Sequence, residues 1–289
     1  MLFIPVIFKL KQYQGNSGTN VNDSDNKDDD DDDDADVDGP KVEAHVDLAE
    51  KKCKYHTVTS QHWFVYLPTF TVYSAYPEDI AVEIGQPDFP DLVRKFIYKE
   101  QHSDHASDNS SVSVSELPTF YNTITVFLSA IATFYVPSDI SGIGGMRRER
   151  IRAMKSWRKG PGRYDTIFVN TDPSLEGMRG LEIARVRLFF SFSHDGVKYH
   201  CALIHWFSRV DDLPDENTGM WTVEPDTLDD GEPFMSIIDL DTIIRASHLL
   251  PVFGQERVSR TLQFTDTLDT FTRFYVNKYI DHHGFEIAF

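Results

Sequence analysis

A chain of 289 residues, with 40% hydrophobic, 13% aromatic and 26% charged side chains, holds enough apolar material for one large domain or two small ones. Its net charge of -18 is dominated by residues 23–38, where eleven Asp face one Lys; the remainder carries about -8, so bulk acidity says little about the folded part. Cys53 and Cys201 are too few for a disulfide framework or a four-cysteine zinc site. No apolar run reaches the roughly 18–20 residues of a membrane-spanning helix, and Met1–Phe8 lacks the basic start and small-residue cleavage site of a signal peptide.

Residues 1–43 read as a disordered acidic tail. The seven consecutive aspartates Asp28–Asp34 repel one another, and nothing apolar nearby offsets the entropy of ordering them. The alternatives are an acidic arm for a basic partner and a calcium site, though the run lacks the glycine and spaced ligands of an EF-hand loop. Residues 44–101 predict a partly helical segment. Within it, Leu92, Val93, Phe96 and Ile97 recur at helical spacing behind Pro90 and Asp91, while 62–74 suits a strand or irregular apolar chain. Residues 102–116, rich in Ser, Asp and His, predict a linker and a boundary.

From Leu117 the period becomes two. Ile124, Val126, Leu128, Ala130, Ala132, Phe134 and Val136 predict one face of a single strand ended by Pro137. Val186, Leu188, Phe190 and Phe192 alternate against Arg185, Arg187, Ser191 and Ser193. Asp195-Gly196 then signals a tight hairpin turn, and Val197, Tyr199, Cys201, Leu203, His205 and Phe207 form the return strand. Shorter strands are expected at 166–170, 220–224 and 235–240. Leu268, Phe271, Phe274, Tyr275, Lys278 and Tyr279 predict a terminal helix over about 267–281. The fold class expected is α+β: a β-rich domain over 117–289, a small barrel or sandwich of antiparallel strands, with a terminal helix and the disordered acidic tail.

The chemistry-bearing segment is 147–163, where eight Arg or Lys oppose Glu149 alone, a local reversal of field in an acidic chain. Guanidinium forks pair with phosphate oxygens, and aromatic rings stack on bases. The candidate DNA contacts are Arg147, Arg148, Arg150, Arg152, Lys155, Arg158, Lys159 and Arg163, with Trp157 and Tyr164 as stacking rings. The alternative is a basic surface that docks acidic residues, the Asp tail included. Gly142-Ile-Gly-Gly145 lacks the Lys-Ser/Thr of a phosphate loop and reads as a turn. Asp172, Asp239 and Asp241 follow apolar runs, as metal-holding carboxylates do, but spacing alone defines no triad, and turn or capping roles account for them more simply. Adjacent His282 and His283 diverge on a helix, which predicts one packed and one exposed. His200 and Cys201 point to opposite faces of a strand, and Cys201 reads as a core thiol.

Several longer strings resemble one family. They are Pro137-Ser-Asp-Ile-Ser-Gly-Ile-Gly-Gly-Met-Arg-Arg-Glu-Arg-Ile-Arg152, Gly162-Arg-Tyr-Asp-Thr-Ile-Phe-Val-Asn-Thr-Asp-Pro173, Gly177-Met-Arg-Gly-Leu-Glu-Ile-Ala-Arg-Val-Arg-Leu-Phe-Phe-Ser-Phe192, Ala202-Leu-Ile-His-Trp-Phe207, Asp215-Glu-Asn-Thr-Gly-Met-Trp-Thr-Val-Glu-Pro225 and Tyr275-Val-Asn-Lys-Tyr-Ile-Asp-His-His-Gly-Phe-Glu-Ile-Ala288. Together they resemble the C-terminal region of Plavaka-type transposases of fungal DNA transposons, densely over about 117–289 and more loosely over 75–101. The resemblance implies a transposon-derived nuclear protein. The family's DDE catalytic domain, of RNase H-like fold, has no counterpart in this sequence, so no catalytic acids carry over.

The function expected is therefore a non-catalytic transposase fragment that contacts DNA through the Arg-rich segment, without a cofactor. The rival expectations are an oligomerisation or chromatin-reader-like module that assembles transposase subunits through its aromatic sheet, and a metal-dependent nuclease.

Overall fold

The computed structural model describes residues 63–67, 73–102, 114–136, 145–255 and 257–289. The acidic tail, Cys53, most of the expected linker and Gly142–Gly144 lie outside the described residues. The fold is α+β and β-rich, as the sequence predicts. An antiparallel ten-stranded sheet curls in half-barrel, sandwich-like fashion against a four-stranded one.

The spine is a long hairpin. In chain order the strands before it are β1 (Trp63–Tyr66), β2 (Tyr73–Ala75), β3 (Ile124–Phe127), β4 (Ser129–Tyr135), β5 (Met146–Met154), β6 (Arg163–Tyr164) and β7 (Thr166–Asn170). The hairpin pairs β8 (Leu181–His194) with β9 (Val197–Arg209). Its turn holds Asp195 at φ 50° and Gly196 at φ 77°, the left-handed pair that a two-residue turn requires. After it come β10 (Thr222–Pro225), β11 (Met235–Asp239), β12 (Ile243–Ser247), β13 (Leu249–Pro251) and β14 (Phe274–Val276). Strands β3 and β7 line one edge of the hairpin, and β10 and β11 the other. The four-stranded sheet runs β1-β4-β5-β6.

Both faces of the hairpin are covered, which is why apolar side chains occupy adjacent positions such as Phe189 and Phe190. One face carries Ala184, Val186, Phe189, Ala202 and Ile204 and packs against the four-stranded sheet through Ala130, Ala132, Phe134 and Ile151. The other face carries two separate apolar clusters. Toward the turn, Leu188, Phe190, Phe192, Cys201 and Leu203 lie under helices α1 (Pro77–Ile84) and α2 (Phe89–Gln101). Phe89 meets Phe190 edge-on at 5.5 Å and Phe96 meets Phe192 at 6.2 Å. Each such buried ring contributes about 2–3 kcal/mol. Toward the far end, Ile183, Phe207, Trp221, Val223 and Phe274 form the second cluster.

Three expectations need correction. The strand expected over 124–136 is two strands in two sheets. β3 pairs β2 and β8, β4 pairs β1 and β5, and Leu128 between them is 41% exposed. The alternation of Val186 with Leu188, Phe190 and Phe192 is broken by a bulge. The pairing passes from Val186–Ile204 to Leu188–Leu203, leaving Arg187 unmatched, so Val186 faces one core and Leu188 the other. The expected terminal helix over 267–281 is a short α3 (Thr267–Thr270), strand β14, and α4 (His282–Ile287). Phe274 and Val276 enter the sheet at period two, and burial against β10 and β13 outweighs the helical spacing of the larger set.

The described part of 44–101 also joins the expected 117–289 domain rather than standing apart from it. Strand β1 pairs β4, β2 pairs β3, and all these residues belong to one compact unit, Leu48–Phe289.

Candidate nucleic-acid interface

The Arg-rich segment forms strand β5, an eight-residue connection and strand β6, rather than a loop throughout. Alternation sorts the side chains of β5. Arg147, Glu149, Ile151 and Ala153 share the face turned to the core, where Ile151 and Ala153 are buried. Arg148, Arg150 and Arg152 occupy the opposite face at every second position, about 6–7 Å apart. Arg148 is exposed, Arg150 donates to Ser129 Oγ at 3.2 Å, and Arg152 donates to the Arg150 carbonyl at 3.4 Å.

The inward pair has structural partners. Arg147 lies 3.5 Å from Asp281. Glu149 accepts from Arg245 Nη2 at 3.2 Å and from the Ala246 amide at 2.6 Å. Arg245 is 4% exposed, forks onto both Asp281 oxygens at 2.8 Å, and lies 4.5 Å over the Phe134 ring. Burial pushes the Glu149 carboxyl up. Burial also acts to raise Asp281, but the Arg245 fork outweighs it and holds Asp281 down at about 2. This network ties β5, β12 and α4 together, so Arg147 and Glu149 belong to the scaffold of the hairpin.

Beyond β5 the chain turns at Trp157-Arg158-Lys159-Gly160. Arg158 at φ 52° and Lys159 at φ 58° are both left-handed, closed by Gly160 N–H donating to the Trp157 carbonyl at 2.9 Å. Holding two non-glycine residues there costs about 1–2 kcal/mol each. Both side chains are exposed. The Trp157 ring has the guanidinium carbons of Arg158, Arg163 and Arg152 at 4.5, 4.8 and 5.8 Å. Arg163 also donates to Asp165 at 2.8 Å, and Lys155 to Glu83 at 3.0 Å. Tyr164 has Arg187 over it at 4.8 Å. The two rings proposed for base stacking thus stack first on arginines of this chain. Trp157, Arg158, Gly160, Pro161 and Arg163 line a cavity of about 520 Å³ that reaches Arg185 and Leu268.

The carboxylates that follow the apolar runs serve local turns. Asp172 accepts from the Ser174 amide at 2.9 Å and from its hydroxyl at 2.6 Å; Asp239 accepts from the Asp241 amide at 2.8 Å and caps the following turn. Burial raises Asp239 to about 6. Among the described residues no group of three or more His, Cys, Asp or Glu could hold a metal ion. Cys201 is fully buried, and burial pushes its thiol well up. As expected of neighbours on a helix, His283 is buried, stacked on Phe134 at 4.6 Å, while His282 is exposed beside Glu286 at 3.1 Å.

The sequence reading missed Arg185, Arg187 and His205. It took the arginines for the polar face of a strand; that face lines a cleft, and the pairing shift at Arg187 brings the apolar Leu188 onto it beside them. Comparison of the chain with protein-family models, curated proteins and solved structures finds no match.

Proposed function

We propose that the β5–β6 hairpin contacts the phosphate backbone of DNA, and that this module works without a catalytic site of its own. The observation that supports it is the placement of Arg148, Arg150 and Arg152 on one face of a strand that runs directly into the strained, exposed Arg158-Lys159 tip. A row of guanidinium groups repeating along an extended strand matches a polyanion of regular charge spacing. The scaffold below is tied by the Arg245 network, so the row is held rather than adaptable. Backbone contacts of this type carry no base specificity. The resemblance to Plavaka-type transposases implies a nuclear protein derived from a transposon, a setting in which DNA is at hand; the contact itself is argued from the arginine row.

The test is fluorescence anisotropy with labelled duplex and single-stranded DNA across a salt series. Log affinity should fall linearly with log salt, with a slope of about -0.9 per phosphate contacted on duplex and about -0.7 on a single strand. Replacing Arg148, Arg150, Arg158 and Lys159 together by Gln should flatten the duplex slope by about 3–4. Arg147→Gln should instead lower stability, because its partner is Asp281. Absence of salt-sensitive binding to either DNA form sinks the proposal.

A further inference from the structure

On the helix-covered face of the β8–β9 hairpin, the two apolar clusters do not meet. Between them lies a cleft of about 870 Å³, within the usual size range of small-molecule sites. Its floor is Arg185, Arg187 and His205 from the hairpin. Its walls are the end of α1 at Glu83–Gln86, the Ala153–Ser156 stretch with Tyr164, and Leu268 with Asp269. Arg185 and Arg187 reach this floor by alternation, Arg185 paired to His205 across the strands; the bulge leaves Arg187 without a cross-strand partner and brings Leu188 to the same face. Bulges re-aim side chains in this way beside sites.

Most charges of the cleft are paired, and Glu232 stands exposed at its rim. Arg185 forks onto Asp269 at 2.6 and 3.2 Å, and Lys155 pairs with Glu83. His205 bonds the Asp226 carbonyl at 2.8 Å through Nε2; burial lowers its pKa and keeps it neutral near pH 7. The remaining cation is Arg187, which makes no hydrogen bond or ion pair with any described residue; it lies 4.8 Å over the face of Tyr164, and the Asp269 carboxylate, held by Arg185, attracts it from a distance. Burial and the adjacent Arg185 penalise its charge more than Tyr164 and Asp269 favour it. The apolar lining of the cleft includes Leu188, Leu203, Val126 and Met235.

We propose that this cleft binds an organic acid with an apolar or aromatic body, its carboxylate held bidentately by Arg187. Arg187 is the guanidinium of the cleft with no carboxylate hydrogen-bonded to it, and its fork of N–H donors matches one planar carboxylate. A phosphate monoester, near two negative charges at neutral pH, would leave excess negative charge beside Asp269 and Glu83. The apolar walls account for the body. The site is separate from the outward arginine row of β5, so the two proposals stand or fall independently.

The probe is 4-phenylbutyrate, with its amide as the uncharged control and AMP and inorganic phosphate as competing oxyanions, all at constant ionic strength. Ligand-observed saturation-transfer NMR on the full chain should show the acid binding and the amide not. Arg187→Gln should weaken binding at least tenfold. Leu128→Glu, at an exposed position of the cleft wall, should weaken it by repulsion without touching the core. In the unaltered protein, 4-phenylbutyrate should slow phenylglyoxal modification of Arg187, read by peptide mass spectrometry. Equal binding of acid and amide, no protection of Arg187, or tighter binding of AMP or phosphate than of the acid overturns the proposal.

Discussion

His283 shows how burial turns a side chain into a pH-dependent part of the fold. It is 4% exposed, stacked on Phe134, with Arg245 Nη1 at 3.3 Å from its Nδ1. Burial, reinforced by Arg245, holds its pKa down at about 4. Between the ordinary histidine value of about 6.5 and that value, the unfolded chain takes up a proton that the folded chain refuses. Stability is therefore fully present above about pH 6.5 and falls as pH drops toward 4, by at most about 3 kcal/mol from this residue. His205 and His248, both lowered by burial, act in the same direction. Urea unfolding between pH 7.5 and 4 should show a falling midpoint. His283→Phe, which keeps the ring stack, should remove part of that fall; an unchanged pH profile in this variant would contradict the assignment.

At the scale of the element, the two hairpin turns make opposite choices. The β8–β9 turn uses Asp195-Gly196, a pair suited to left-handed backbone, and the sequence announces it. The β5–β6 connection places Arg158 and Lys159 in the same backbone region, where they are disfavoured, and nothing in their identity announces a turn. If those side chains are there for their charge, stability and binding trade against each other. Lys159→Gly should raise stability by about 1 kcal/mol in urea unfolding while lowering affinity for DNA. A gain in both would show that the tip is not part of the interface.

The legible parts of the fold were those where local chemistry and packing agree. The amphipathic spacing of Leu92, Val93, Phe96 and Ile97 marks α2, and the hairpin turn marks β8 and β9. The illegible parts depend on distant partners. Leu128 continues the alternation of its neighbours, yet the chain changes sheet there. The bulge at Arg187 leaves an unbroken apolar alternation in sequence, because both faces of the strand are buried. For the site, the density of positive charge was visible, but not that Arg147 belongs to the scaffold or that Trp157 and Tyr164 carry arginines on their rings.

Across the whole molecule, segments far apart in sequence complete one another. Helix α2 covers Phe190 and Phe192, and β1 and β2 extend the two sheets. A fragment of residues 117–289 should therefore not behave as an independent domain. It would expose those two rings, at about 2–3 kcal/mol each, together with the edges of β3 and β4. The expected outcome is aggregation or strong binding of a hydrophobic dye, while 63–289, which keeps both rings covered, binds the dye weakly. A cooperative, dye-silent unfolding transition for 117–289 alone would show that the earlier residues are an add-on.

The long hairpin has one more consequence, for synthesis. Strands β3 and β7, which complete one of its edges, leave the ribosome before it does; β10 and β11, which complete the other, leave after it. While residues 210–239 are still being made, the outer edge of β9 presents open backbone donors and acceptors next to Cys201, Leu203 and Phe207. The nascent chain passes through a stage in which its most apolar ribbon is half-dressed, and that interval is when a chaperone has most to shield.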